Sequence, residues 1–141
     1  MTKMIQILSA IFLLSANGML HAFEVSGDSF PANFTITSLQ SSDTGSIMAA
    51  QGDVDDYGKV YLTYHFKNTH GIENLGNFTG QIRVASPDGI LRGTMQGVWR
   101  GEGSKMKIYT YDTHSNGDVL MALGEMDLVA GTAKFTVFPV E

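Results

Sequence analysis

The chain has 141 residues with 9 Lys or Arg, 14 Asp or Glu and a net charge of −5 at pH 7. This length suits one domain with a buried core, and an acidic chain without a basic stripe argues against nucleic acid as a partner. The chain contains no cysteine, which excludes disulfides, thiol catalysis and thiolate metal ligands.

The first 22 residues have the pattern of a secretory signal peptide. Lys3 precedes an apolar run over residues 4–14, and small and turn-forming residues then lead to Ala22. This order is typical of a cleaved signal, and the run is shorter than the ~20 residues of a spanning helix. An amphipathic first helix is the alternative, but the run lacks a polar stripe. We therefore expect cleavage after Ala22, one domain over residues 23–141, a secreted or periplasmic location and no membrane anchor in the mature chain.

Alternation of apolar and polar side chains predicts eight strands after a loose leader over residues 23–29. The clearest is 59–67, where Val60, Leu62, Tyr64 and Phe66 share one face because side chains of a strand alternate with period 2. Gly52 is a candidate bulge. In chain order the predicted strands cover residues 34–39, 46–54, 59–67, 78–85, 90–100, 105–112, 119–128 and 132–140.

Turn-forming residues separate these segments at nearly even intervals. Pro87-Asp88-Gly89 and Asn116-Gly117 are strong turn signals, whereas residues 68–76 form the longest predicted loop. No stretch after residue 22 has a helical period. The pattern predicts an all-β fold, an eight-stranded antiparallel up-and-down barrel, with a β-sandwich as the alternative. Closure would remove the free edges of a sheet that has no disulfides.

One glycine-punctuated hairpin carries a family resemblance. It reads Phe78-Thr-Gly-Gln-Ile-Arg-Val-Ala-Ser-Pro-Asp-Gly-Ile-Leu-Arg-Gly-Thr-Met-Gln-Gly-Val-Trp99. Together with the eight-strand meander behind a signal peptide, it resembles the barrel shared by allene oxide cyclases and dirigent proteins. Lipocalin-like barrels are a second similar group, although the Gly-x-Trp near the start of many lipocalins is missing. The resemblance implies a cofactor-free isomerase, cyclase or dirigent-like enzyme, and no functional residue can be matched one by one.

The apolar faces predict a barrel interior with few polar atoms and no charge. The expected lining comprises Leu62, Tyr64, Phe66, Phe78, Ile82, Val84, Leu91, Met95, Trp99, Met106 and Ile108. Eight-stranded barrels are often just wide enough for their own side chains, so a filled core is one interpretation and a cavity for a small apolar ligand is the other. In the second case we predict Tyr64, Phe66, Met95 and Trp99 as ligand-binding residues, with Tyr64 and Trp99 donating hydrogen bonds.

No pattern assigns a catalytic residue, a cofactor or a metal. Residues 53–58 resemble the start of a calcium loop, but the twelfth position is Tyr64, which favours a solvated turn. The histidines lack zinc-ligand spacing. An enzyme would need polar groups in the lumen, and the predicted strands place them on the outer faces unless the register is inverted. Those outer groups are His65, Arg83, Arg92, Tyr109, Tyr111 and Glu125.

The sequence therefore predicts a secreted or periplasmic barrel that binds a small apolar molecule or serves as a structural or interaction module. The alternative is a cofactor-free isomerase, cyclase or dirigent-like enzyme that acts on a hydrophobic intermediate. Val119, Met121 and Leu123 make the outer face of one strand apolar, and Phe138 extends it. Another subunit or the leader could cover this patch, and we expect a homo-oligomer.

Overall fold

Eight antiparallel strands, each paired with its neighbours along the chain, close into a barrel where β1 pairs with β8. The computed structural model describes residues 28–140, so the predicted signal peptide lies outside the described residues. The strands are β1 Phe30–Ser42, β2 Gly45–Val54, β3 Gly58–Lys67, β4 Leu75–Ser86, β5 Gly89–Glu102, β6 Lys105–His114, β7 Val119–Asp127 and β8 Thr132–Pro139. The predicted all-β up-and-down barrel is confirmed. No helix within residues 28–140 is long and apolar enough to cross a membrane.

The first strand begins earlier than predicted and carries the irregularity that was expected in the second. β1 starts at Phe30 because the inward alternation reaches back through Ala32, and this extension pairs with β8. The bulge predicted at Gly52 is wrong. The register shifts between Ile36 and Ser38 of β1, whereas Gly52 keeps its regular pairing with β3. Gly52 serves close packing instead, because a Cβ there would collide with the carbonyl oxygen of Asn33.

The predicted apolar faces point into the barrel. Val60, Leu62, Tyr64 and Phe66 of β3 are buried, and Tyr61 between them is exposed. The inverted register that would bring the outer polar groups into the lumen is therefore absent from the described strands. The polar groups that remain outside are His65, Arg83, Arg92, Tyr109, Tyr111 and Glu125.

Aromatic side chains fill one end of the barrel, which we call the closed end. It contains the turns that follow β1, β3, β5 and β7. The Tyr64 ring stacks on Phe66 with centroids 5.3 Å apart, and Phe78 lies across both rings at 5.5 and 5.6 Å. Trp99 meets Phe66 edge to face at 6.3 Å. Such pairs add about 0.5–1.5 kcal/mol each beyond the burial of their area. These four rings, which we call the plug, therefore stabilise the closed end of the barrel.

The outside of β5 to β8 carries a contiguous apolar patch. Met121 of β7 lies opposite Tyr111 of β6 and Phe138 of β8, and Leu123 lies opposite Tyr109. Leu123 is 50% exposed, and both tyrosines are exposed. Residues directly opposite on an antiparallel pair share one face of the sheet, so the predicted outward apolar face of β7 and its extension by Phe138 are confirmed.

Candidate functional site

A cavity of about 70 Å³ occupies the opposite end of the barrel, which we call the open end. This end contains the start of β1 and the turns that follow β2, β4 and β6. All eight strands contribute to the cavity wall, which is mainly aliphatic and aromatic. The interior is thus filled at the closed end and hollow at the open end, which combines the two interpretations that the sequence left open. The polar side chains of the wall are Tyr57, Tyr64, Thr110, Asp112 and His114.

The four predicted ligand-binding residues divide between the cavity and the plug. Tyr64 and Met95 line the cavity, and Tyr64 forms its floor because its ring also stacks on Phe66. Phe66 and Trp99 do not line it. The indole Nε1 of Trp99 donates a hydrogen bond to the carbonyl oxygen of Lys67 at 3.0 Å, so this donor is already used within the chain. Ligand binding by these residues stays a prediction.

Asp112 is the residue that the sequence analysis missed. It lines the cavity with 8% of its surface exposed, so the expectation of an uncharged interior is wrong. The Oγ1 atom of Thr110 donates a hydrogen bond to Asp112 Oδ1 at 2.6 Å. Burial raises the pKa of Asp112 from 3.8 to about 6, although the hydrogen bond from Thr110 acts in the opposite direction. The alternation of β6 carries the signal, because Ile108, Thr110 and Asp112 continue one inward row.

Tyr64 places a phenol in the same cavity. Its side chain is 1% exposed, and burial followed by the nearby charge of Asp112 raises the pKa of the phenol. Both causes disfavour the phenolate, so Tyr64 stays neutral at physiological pH and keeps its proton for donation. Asp112 and Tyr64 thus give the cavity a carboxyl group with a pKa of about 6 and a phenol that stays protonated.

Three rings form the rim of the cavity. Phe30 stacks on Tyr57 with centroids 5.9 Å apart, and Tyr57 lies 6.4 Å from the His114 ring. The Tyr57 hydroxyl donates to Asp118 Oδ2 at 3.4 Å, which ties the turn after β2 to the turn after β6. These contacts hold two loops at the mouth, and a surface depression there shares Phe30 and Tyr57 with the cavity.

His114 contributes the second titratable group that the sequence analysis did not place in the lumen. Its Nδ1 atom is buried without a hydrogen-bond partner among the described residues. Burial lowers the pKa of His114, while the nearby Asp118 acts in the opposite direction. The ring lies over Gly93, where a Cβ would come within 2.9 Å of His114 Cδ2. Gly93 is buried on β5 and therefore relieves crowding at the site itself.

These groups can orient a ligand and can move a proton. Asp112 can accept a hydrogen bond or a proton, Tyr64 can donate a hydrogen bond, and the apolar wall excludes water around them. Within residues 28–140, no three Asp, Glu or His side chains come together as metal ligands.

Comparisons with protein-family models, with curated proteins and with solved structures each find no significant match.

Proposed function

We propose that this barrel binds a small, mainly apolar molecule with one polar group in the open-end cavity. A mostly hydrophobic concave site with a few convergent polar groups is the usual form of a small-molecule site. A cavity of about 150 Å³ holds benzene, which has six non-hydrogen atoms. The volume of about 70 Å³ therefore suits roughly three non-hydrogen atoms inside the wall. A larger ligand would extend through the rim.

The buried Asp112 carboxylate carries this proposal. An ionised carboxylate in an apolar interior costs free energy unless a cation or several hydrogen bonds compensate it. Thr110 supplies one hydrogen bond, and no described lining residue is Lys or Arg. A lumen that only had to be filled would be more stable with an apolar side chain at this position. A ligand that donates a hydrogen bond to Oδ2 of Asp112 would compensate the cost of burying this carboxylate.

Calorimetric titration with cyclopentanol tests the binding. This alcohol has six non-hydrogen atoms and one donor, and we expect saturable one-to-one binding. Ala122 lines the cavity, so Ala122→Phe should occupy the space and abolish the binding heat. Ala130 lies in the exposed turn before β8, and Ala130→Phe is the matched control that should bind like wild type. Absence of saturable heat, or equal binding by both variants, would contradict the proposal and favour a structural or interaction module.

A second candidate function is proton abstraction by a cofactor-free isomerase or cyclase. The pairing of Asp112, with its pKa of about 6, and the neutral Tyr64 phenol in one cavity favours it. Asp112 would take a proton from carbon next to a carbonyl, and the Tyr64 hydroxyl would donate to the developing enolate oxygen. Reprotonation from the same carboxyl group would complete an isomerisation.

Deuterium exchange of cyclopentanone tests this second function. We expect its α-protons to exchange with D₂O faster in the presence of the protein than in buffer, as followed by proton NMR. Asp112→Asn should remove the acceleration, and Ala130→Phe should retain it. An unchanged rate in Asp112→Asn would assign the exchange to another group and reject Asp112 as the base.

We also propose that the protein acts outside the cytoplasm, which the signal-like residues 1–22 support.

A further inference from the structure

The open-end cavity has an anion and no cation of its own. Asp112 is its carboxylate, and none of the described lining residues is Lys or Arg. Asp112 Oδ1 accepts the hydrogen bond from Thr110, whereas no described residue donates to Oδ2. A buried carboxylate is stabilised most strongly by a charge-assisted partner, because that partner compensates the charge as well as the hydrogen bond.

Aromatic side chains line the same space. Besides the His114 imidazole, five benzene rings line the cavity, those of Phe30, Phe34, Tyr57, Tyr64 and Phe135. Phe34 and Phe135 meet edge to face with centroids 6.0 Å apart, on the wall formed by β1 and β8. Ring faces carry negative electrostatic potential and attract ammonium groups, and this attraction strengthens when water is excluded. Aromatic rings around one carboxylate therefore match the apolar body and the charged head of an amine.

We propose that the ligand of this cavity is a small organic cation, an amine whose ammonium group faces Asp112 and whose apolar body lies against the aromatic wall. This inference rests on the proposed function and names the ligand class of the same site. A neutral alcohol or amide also donates to Oδ2, but it leaves the carboxylate charge uncompensated. An anionic ligand is disfavoured, because Asp112 repels it and no described lining residue offers a Lys or Arg.

The other titratable groups around Asp112 agree with a cationic ligand. Those that face the cavity or its mouth are Asp56, Tyr57, Tyr64, His114 and Asp118. Burial raises the pKa of both phenols and lowers the pKa of His114, so all three are neutral near pH 7.5. Asp56 and Asp118 add negative charges at the mouth, where they attract a cation toward the cavity.

Cyclopentylamine and cyclopentanol form a matched pair of probes, because they share the ring and differ in the charge of the donor. At pH 7.5 we expect calorimetry to give binding of the amine about tenfold or more tighter than of the alcohol. Asp112→Asn keeps an acceptor for Thr110 but removes the charge. It should weaken amine binding by about tenfold or more, and by a larger factor than it weakens alcohol binding, because the alcohol loses only a hydrogen-bond acceptor whereas the amine also loses its charge partner.

A pH series on the wild-type protein gives the same test without a variant. The affinity for cyclopentylamine should fall as the pH drops from 7.5 to 5, because Asp112 takes up a proton, and the affinity for cyclopentanol should change little. His114→Gln should retain this fall, which separates Asp112 from His114. If the amine binds no tighter than the alcohol and shows no such fall, the cationic ligand is wrong while the proposed function stands. If neither probe binds, both are wrong.

Discussion

Asp112→Asn should make the ligand-free protein more stable at neutral pH. Asn is close in shape to a protonated aspartic acid, and its Oδ1 can still accept the hydrogen bond from Thr110 Oγ1. The variant therefore removes one buried negative charge and leaves the packing of the lumen nearly unchanged. It isolates the cost of ionising a carboxyl group inside the barrel.

The magnitude follows from the raised pKa of Asp112, which is about 6 in the folded protein against an ordinary value of 3.8. At 1.36 kcal/mol per pH unit, this difference corresponds to about 3 kcal/mol. Because the folded pKa is raised, the native state binds the proton more tightly than the unfolded state does. The stabilisation is fully present below about pH 3.8, is lost as the pH rises toward 6, and is absent above it.

Urea unfolding at intervals between pH 4 and pH 8 measures this effect, with the fluorescence of Trp99 as the probe. Trp99 packs on Phe66 at the closed end, far from the substitution, so its signal reports global unfolding. We expect the two proteins to be similar at pH 4 and the variant to be about 2–3 kcal/mol more stable at pH 7.5. The pH dependence that the other carboxyl groups contribute is the same in both proteins, so it cancels when the two free energies of unfolding are subtracted. If the free energies of unfolding of the two proteins change with pH in parallel, Asp112 is not ionised while buried in the lumen.

Three further predictions concern other parts of the chain. Trp99→Ala should lower the free energy of unfolding by about 2–3 kcal/mol, because the ring is only partly buried, and a loss no larger than that of the exposed Val98→Ala would contradict the plug. Light scattering at micromolar concentration should report an oligomer that Met121→Lys converts to monomer, and monomeric wild type would contradict this. Sequencing of exported protein should start at Phe23, whereas retained residues 1–22 would contradict export.

The fold could be predicted from the sequence because its signals are local and repeated. The period-2 pattern of residues 59–67 is enough to place Tyr64 inside and Tyr61 outside, and the turn at Pro87-Asp88-Gly89 pairs its strands in register. A slip of one residue would move all the apolar side chains of a strand to its outer face, so the alternation itself specifies which face points inward. The ends of the strands were harder to predict, because they depend on pairing between distant parts of the chain. Phe30 belongs to β1 because it pairs with β8, the last strand of the chain.

The candidate site could be predicted only in part, because Asp112 is a charged residue at an inward position of the β6 alternation. Asp112 lies next to a polar turn, and an acidic residue at a strand end usually indicates the surface. Only closure of the barrel turns that end of β6 into a cavity wall. Trp99 was predicted to bind a ligand because it lies on the predicted inward face. It lies at the closed end of the barrel, however, and its indole Nε1 donates a hydrogen bond to the carbonyl oxygen of Lys67.

The most direct test of the open-end site is a set of intermolecular nuclear Overhauser effects from bound cyclopentanol to labelled methyl groups. We predict contacts to Ala122, Leu120 and Val137, which line the cavity, and none to Met126, which is buried outside its lining. The effects should saturate with ligand and disappear in Ala122→Phe. Contacts to Leu123 on the outer patch instead, or no saturable contacts at all, would contradict ligand binding inside the barrel.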